Sequence, residues 1–194
     1  MRYPAEHKDR VRQQIVRAAA RRFRSRGGEG VAITELMRDL DLTHGGFYRH
    51  FEDKEQLFGE ALAESFAQVR EKLHAVAEAA SPGNELEALI DAYLDERHCT
   101  NAGNGCPVAA LATEIGRHSK GVRAILDQGV RDHVAALQQF MPGETQSERE
   151  ATALTLFTGM AGALNLARAT SDPQLRRSIL SGARAFYVNA LRSR

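Results

Sequence analysis

The chain has 194 residues, 43% of them hydrophobic, with a formal net charge of +1 and two cysteines. That length supports a buried core, either as one domain or as a small module joined to a larger one, while two cysteines are too few for a disulfide framework. No positively charged start leads into an apolar signal core, and the most apolar run, around Leu154 to Ala167, is broken by Thr158 and Asn165 and falls short of the ~20 residues a membrane span needs. A cytoplasmic protein with no membrane segment is expected. Charge is uneven along the chain: residues 1 to 54 hold 12 Lys or Arg against 8 Asp or Glu, and the first 26 hold 9 against 2. Such polarity steers a polyanion toward the N-terminal lobe without making the whole surface basic.

Apolar residues recur at helical spacing nearly throughout and no stretch keeps a period of two, which predicts an all-α fold of about nine helices. The first runs from about Glu6 to Arg26, with Val11, Ile15, Ala18, Ala19 and Phe23 on one stripe, and stops at Gly27-Gly28. The second covers about Ile33 to Leu40 and the third about His44 to His50. A fourth starts near Asp53 and continues to about Ala80, burying Phe58, Leu62, Phe66, Val69, Leu73 and Val76. At 1.5 Å per residue it spans about 40 Å, enough to leave one lobe and enter the next. Ser81-Pro82-Gly83-Asn84 breaks the chain before a fifth helix carrying Leu86, Leu89, Ile90, Tyr93 and Leu94. Thr100 to Gly105 reads as a loop, and Pro107 suits the first turn of a sixth helix ending near Arg117. The seventh occupies about Gly121 to Met141, the eighth about Ser147 to Ala169 and the ninth about Pro173 to Leu191. The expected division is 1–54 for a helix-turn-helix lobe and 55–194 for an effector-binding and dimerisation lobe.

Function is written in residues 33–54. Thr43 stands where a hydroxyl accepts from the free amides of a helix start. Behind it come His44, Gly45 and Gly46, then Phe47, Tyr48, Arg49, His50 and Phe51, with Lys54 opening the next helix. In a helix-turn-helix the second helix offers its first turn to base edges while nearby hydroxyls and cations hold phosphates. On that basis Tyr48 and Lys54 are assigned to phosphates, and Thr43, His44 and Gly45 to the groove. Phe47 and Phe51 go to the core, and Arg49 and His50 divide between phosphate contact and packing on the first helix.

The segment Thr43-His44-Gly45-Gly46-Phe47-Tyr48-Arg49-His50-Phe51, followed by Asp53-Lys54-Glu55-Gln56-Leu57, resembles the recognition helix and fourth-helix start of the TetR/AcrR-type transcriptional regulators. The resemblance covers about residues 8 to 60. It implies a homodimer that binds double-stranded operator DNA, with a C-terminal lobe that takes a small effector and a default state that represses a nearby promoter. Two departures stand out. Ala32 replaces a capping Thr, leaving Glu35 without its capping-box partner, and Asp41 replaces a turn Gly, where Asp can adopt a left-handed conformation at modest cost.

In the C-terminal lobe, small residues on the eighth helix beside large ones on the ninth suit close antiparallel packing, and a two-fold copy would make a four-helix interface. Polar residues that could line an effector cavity include Tyr93, His98, Asn101, Asn104, His118, Gln128, His133 and Arg168. Cys106, read as the cap before Pro107, is expected near unpaired amides that favour thiolate, and Cys99 is placed to resolve an oxidised sulfur. Some members of the resembling family sense electrophiles or oxidants through cysteine. The two cysteines lack the short spacing of zinc motifs, and no Gly-x-Ser-x-Gly, His-Glu-x-x-His or phosphate loop occurs, so neither metal, cofactor nor catalytic residue is expected. The alternative reading is an all-α small-molecule-binding or interaction protein without operator recognition.

Overall fold

A computed structural model describes residues 5–192. Among them no strand occurs, and the expected nine helices appear with one short addition. They are α1 (Ala5–Arg26), α2 (Ile33–Arg38), α3 (His44–Phe47), α4 (Lys54–Ala79), α5 (Glu85–Tyr93), α6 (Glu96–Thr100), α7 (Pro107–Ile115), α8 (Lys120–Leu137), α9 (Gln146–Ala169) and α10 (Pro173–Arg192). Single 3₁₀ turns occupy Ala102–Asn104 and Gln138–Phe140. No helix among the described residues is long and apolar enough to cross a membrane.

Local chemistry fixes most helix starts. Asp53 accepts from the Gln56 amide at 2.7 Å to open α4, Ser119 accepts from Val122 at 3.3 Å to open α8, and Thr145 with Glu148 forms a complete capping box on α9. Pro107 sits in the first turn of α7, where its missing N–H costs nothing.

Several boundaries differ from expectation, α2 ending at Arg38 and α8 at Leu137 among them. Regular α3 stops at Phe47 rather than reaching His50, because the chain tightens there into i to i+3 bonds, Arg49 N to Gly46 O at 3.2 Å and His50 N to Phe47 O at 2.9 Å. Helix α6 arises just before the expected loop, where Asp95 caps the start by accepting from the Arg97 amide at 2.7 Å. The α7 helix ends at Ile115, two residues early, as Gly116 and His118 N–H groups turn back onto the last carbonyls.

Two apolar cores share α4. The first gathers Ile15, Ala19 and Phe23 of α1, Leu36 and Met37 of α2, Phe47, Phe51, and Leu57, Phe58, Leu62 and Phe66 of α4, then reaches Leu111, Ile115 and Val122. Burying one such large side chain stabilises by about 1.5–3 kcal/mol. The second gathers α5, α8, α9 and α10 around Ile90, Leu137, Leu156, Phe157, Met160 and Leu164, with Leu73 and Val76 of α4 against it. The division at 54/55 therefore falls at the first turn of α4, while the apolar packing of the N-terminal lobe continues past it. Helix α8 crosses α4 closely: a Cβ on Gly129 would fall 2.3 Å from the Phe66 ring, and one on Gly59 3.0 Å from Ile125.

Candidate nucleic-acid interface and effector pocket

The turn between α2 and α3 is made by Asp41, which takes φ = 58°, the left-handed conformation expected of an Asp in a glycine position. Ala32 supplies no side-chain cap to α2, and Glu35 instead lies 3.8 Å from Arg26. Thr43 does cap α3, its hydroxyl accepting from the Gly46 amide at 3.2 Å. Phe47 and Phe51 stack at 5.3 Å and anchor the second helix to the core. That anchoring turns Thr43, His44, Gly45, Tyr48 and Arg49 outward as one exposed edge, with Tyr48 63% exposed. A large aromatic left this bare has no use in the monomer core. Gly45 has nothing within 4 Å of where a Cβ would stand, so no protein neighbour requires a glycine there.

Around this edge the ring of His44 meets Tyr48 edge-on at 5.7 Å and lies 3.3 Å from the Thr34 hydroxyl. His50 turns inward. Its carbonyl accepts from Arg12, its Nδ1 is buried without a partner, and burial followed by the charges of Lys8, Arg12 and Arg49 pushes its pKa down. Of the pair left open by the sequence, Arg49 goes to the exposed edge and His50 to packing on α1. Lys54 is half-buried in the first turn of α4.

A second feature lies between α4, α5, α8 and the loop ahead of α7, a cavity of about 400 Å³. Val69, Leu73, Val76 and Leu89 form its apolar walls; Tyr93, His98, Asn101, Asn104, Cys106 and His133 bring the polar atoms. His98 locks one wall. Its Nδ1–H donates to the Tyr93 carbonyl at 2.6 Å while Nε2 accepts from the Cys106 amide at 2.9 Å, an arrangement only the neutral ring can make. Burial agrees, lowering its pKa to about 4. His133 is held neutral in the same way, its pKa also lowered to about 4 by burial, with its ring 4.3 Å from Phe157. A broader groove of about 700 Å³ runs between the start of α5 and the ends of α8 and α10, but it holds none of these residues.

The exposed edge, and the cavity apart from its α4 wall, fall inside known sequence families. Residues 15–61 match the model described as bacterial regulatory proteins, tetR family, and residues 82–182 match the tetracyclin repressor-like C-terminal domain. The chain belongs to the tetR family. It is 26% identical over 173 residues to the HTH-type transcriptional regulator LmrA of Bacillus subtilis, covering 86% of this chain and 92% of LmrA. Against the HTH-type transcriptional repressor DhaR of Mycobacterium sp. strain GP1 identity is 30% over 118 residues, 60% of this chain and 58% of DhaR. A TetR transcriptional regulator from Chloroflexus aurantiacus shares the fold with a TM-score of 0.76 at 22% identity, covering 94% of this chain and 96% of that one.

In this tetR-family regulator the residues expected to line an effector site divide into two groups. Tyr93, His98, Asn101, Asn104, His133 and Cys106 come together on the cavity. Gln128 is exposed, and Arg168 stands behind the wall, donating to the His98 carbonyl at 2.9 Å and the Cys99 carbonyl at 3.2 Å. His118 is a correction. It lies off the cavity, at the joint between lobes, stacked on Phe58 at 4.2 Å and reaching Glu55 at 2.8 Å and Glu114 at 3.5 Å.

The expectation that a helix start would favour the Cys106 thiolate is also corrected. The sulfur is fully enclosed, and burial raises its pKa against the opposing pull of the Tyr93 hydroxyl and the Ala109 and Val108 amides. Cys99, also buried, is raised by the same cause. Both are free thiols. No group of three or more metal-ligating side chains occurs among the described residues.

Three contributors are not evident from sequence, Lys72 and Arg97 on the cavity and Arg24 beneath it. Arg24 donates to the Gly103 carbonyl and to Gln68, both at 2.8 Å, while Lys72 donates to the Asn104 carbonyl. The one sequence signal is Gly103 itself, since a Cβ there would meet Ser25 Oγ at 2.5 Å; a glycine in a polar loop marks a close approach but does not say to what.

Proposed function

We propose that the chain is a repressor that binds a palindromic operator as a homodimer and is released when a small effector occupies the α4–α5–α8 cavity. Regulation proceeds by binding alone, in the cytoplasm where the operator is, with no catalysed step. The observation that carries this reading is the outward edge of α3. Thr43, His44 and Gly45 are the groove-facing residues, Gly45 because its missing side chain lets the backbone come close. Tyr48, Arg49 and Lys54 hold phosphates, and His50 fixes the end of this segment to α1 through Arg12.

Pairing is supported by the far side of the molecule. The α9 and α10 helices leave Leu154, Leu166, Leu175 and Phe186 between 45% and 65% exposed, and Cβ positions on Gly162 and Gly182 meet nothing. Apolar side chains beside open glycines suit the close approach of a second α9–α10 hairpin. Effector response is supported by the cavity, whose α4 wall is continuous with the helix that opens at Lys54. Tyr93, His98 and Cys106 contact the effector, Cys99 backs that wall, and His118 transmits at the joint. An electrophilic effector would meet the Cys106 thiol on that wall and react slowly with it, because burial keeps it protonated.

Protection of the chain's own upstream DNA by the purified protein tests the reading. One inverted repeat, protected in two symmetric halves and weakening steeply with salt, is the expected result. Salt-insensitive or unlocalised binding contradicts it and supports a helical small-molecule-binding protein instead.

A further inference from the structure

The charged side chains that line the cavity are of one sign, with Asp95 acting on His98 from outside it. Its lining includes Lys72 and Arg97 but no Asp or Glu. Behind the Gly105–Cys106 wall stand two further cations. Arg24 is 3% exposed and donates only to neutral oxygens, those of Gly103 and Gln68; Arg168 donates only to the carbonyls of His98 and Cys99. In each guanidinium Nη1 is buried without a hydrogen-bond partner, and neither makes an ion pair among the described residues. Glu64, which also acts on Arg24, lies 3.4 Å from Arg17. Buried guanidinium charge without a counter-ion is costly, so an arriving negative charge is favoured there.

The same wall offers uncommitted donors. The Tyr93 hydroxyl is buried without a hydrogen bond of good geometry, and Lys72 commits one of its three protons to Asn104. The two histidines stay neutral and add no positive charge of their own. Burial has driven the Arg24 pKa down to about 10, against the opposing pull of Cys106 and Glu64. The α4 and α5 walls bring hydrocarbon through Val69, Leu73, Val76 and Leu89.

We infer that this cavity receives a compact apolar molecule ending in an anionic group, a small hydrophobic carboxylic acid, with its charge toward Lys72 and the Tyr93 hydroxyl. This rests on the cavity being the effector site and names the class of effector. A lipophilic cation is excluded, because it would add to the uncompensated charge of Arg24 and Arg168.

The test uses three probes of one chain length on the full protein at neutral pH: octanoate, 1-octanol and octylammonium, with binding followed by calorimetry and operator release by footprinting. Octanoate is expected to bind at least ~10-fold tighter than 1-octanol and octylammonium to bind more weakly than either, the size of a single charge-assisted contact. In the Lys72→Met, Tyr93→Phe double variant the ratio of acid to alcohol affinity shrinks to about 3-fold or less, while circular dichroism and thermal unfolding show a chain folded as the parent. Equal affinity for acid and alcohol, tighter binding of the ammonium, no binding of the acid, or an acid preference untouched in the doubly substituted protein each overturns the inference. The release arm separates the two readings: octanoate bound in the cavity without loss of the footprint removes the effector assignment and keeps the charge assignment, and 1-octanol releasing DNA as well as octanoate does the reverse.

Discussion

Cys106 and Glu114 stand at opposite ends of α7, a nine-residue helix about 13 Å long, one on the cavity wall and the other at the DNA-reading lobe. At the cavity end the Cys106 amide is held by His98; at the far end Glu114 accepts from the Gly28 amide at 2.7 Å and faces His118, which in turn meets Glu55 in the first turn of α4. A rigid helix pinned at both ends carries a displacement of the cavity wall to α1 and α4, whose orientation sets where α3 points. Couplings of this kind are usually worth ~1–3 kcal/mol.

Removing the far pin should separate folding from response. Glu114→Ala leaves the buried Gly28 amide unpaired, costing about 1–3 kcal/mol in denaturant unfolding. Operator affinity without effector stays near the parent value, and the effector concentration that halves binding rises by about 10-fold. An unchanged release curve in the folded variant would refute the α7 route.

Gly45 and Gly46 give a sharper test of the reading edge. Alanine at 45 meets no protein atom, so it should stabilise the fold by up to about 1 kcal/mol through helix propensity while weakening operator binding. At 46 the added Cβ sits 3.3 Å from the capping Thr43 hydroxyl, so any gain is smaller. Thermal unfolding and operator titration of Gly45→Ala decide it: parental affinity for DNA means the groove does not approach that backbone.

Tyr48 and Lys54 should behave as phosphate ligands. Tyr48→Phe and Lys54→Ala weaken binding to operator and to unrelated duplex alike, and Lys54→Ala lowers the slope of log affinity against log salt by about 1. A loss confined to one operator sequence would move these residues to base reading.

These predictions rest on parts of the chain that were unequally legible. Thr43, Phe47, Tyr48 and Asp41 could be placed from sequence because capping, burial and left-handed turns are local demands that residue type answers directly. The cavity is half legible: Tyr93, His98 and His133 can be named, but Lys72 and Arg24 sit on helix faces that periodicity assigns to solvent, and only tertiary contact with the Gly103–Gly105 loop buries Arg24 and ties the exposed Lys72 to the cavity rim. His118 was misplaced for the same reason. Cys106 was located correctly at the helix start, yet its ionisation was misjudged, because the competing desolvation depends on neighbours that arrive from α5 and α9.

The thiols give a pH prediction. Burial raises the pKa of both Cys106 and Cys99, so each holds less thiolate at neutral pH than a free cysteine. Alkylation by iodoacetamide should be slower than that of a model thiol at pH 7 and climb steadily toward alkaline pH. Rapid labelling at pH 7 that disappears in Cys106→Ser would restore the low-pKa reading.

Stability should fall in acid for a definable reason. His98 and His133 have folded pKa values of about 4 against 6.5 for the free side chain, so the unfolded chain takes up protons first. Their contribution is present above pH 6.5 and is lost as pH falls toward 4, at about 1.4 kcal/mol for each unit of separation. Denaturant unfolding at pH 7 and pH 5 should show the loss, and His133→Gln should reduce its steepness; a flat profile would mean that neither ring is buried in solution.

Operator reading depends most on two recognition helices being held at a fixed separation. Counting chains on an inverted-repeat operator, and then lengthening the gap between its halves by five base pairs, addresses that directly. Two chains per operator, half-sites about 34–36 Å apart and affinity lost when the added half-turn rotates one half-site to the opposite face of the duplex are the predicted results. One chain per site, or indifference to the insertion, would contradict it.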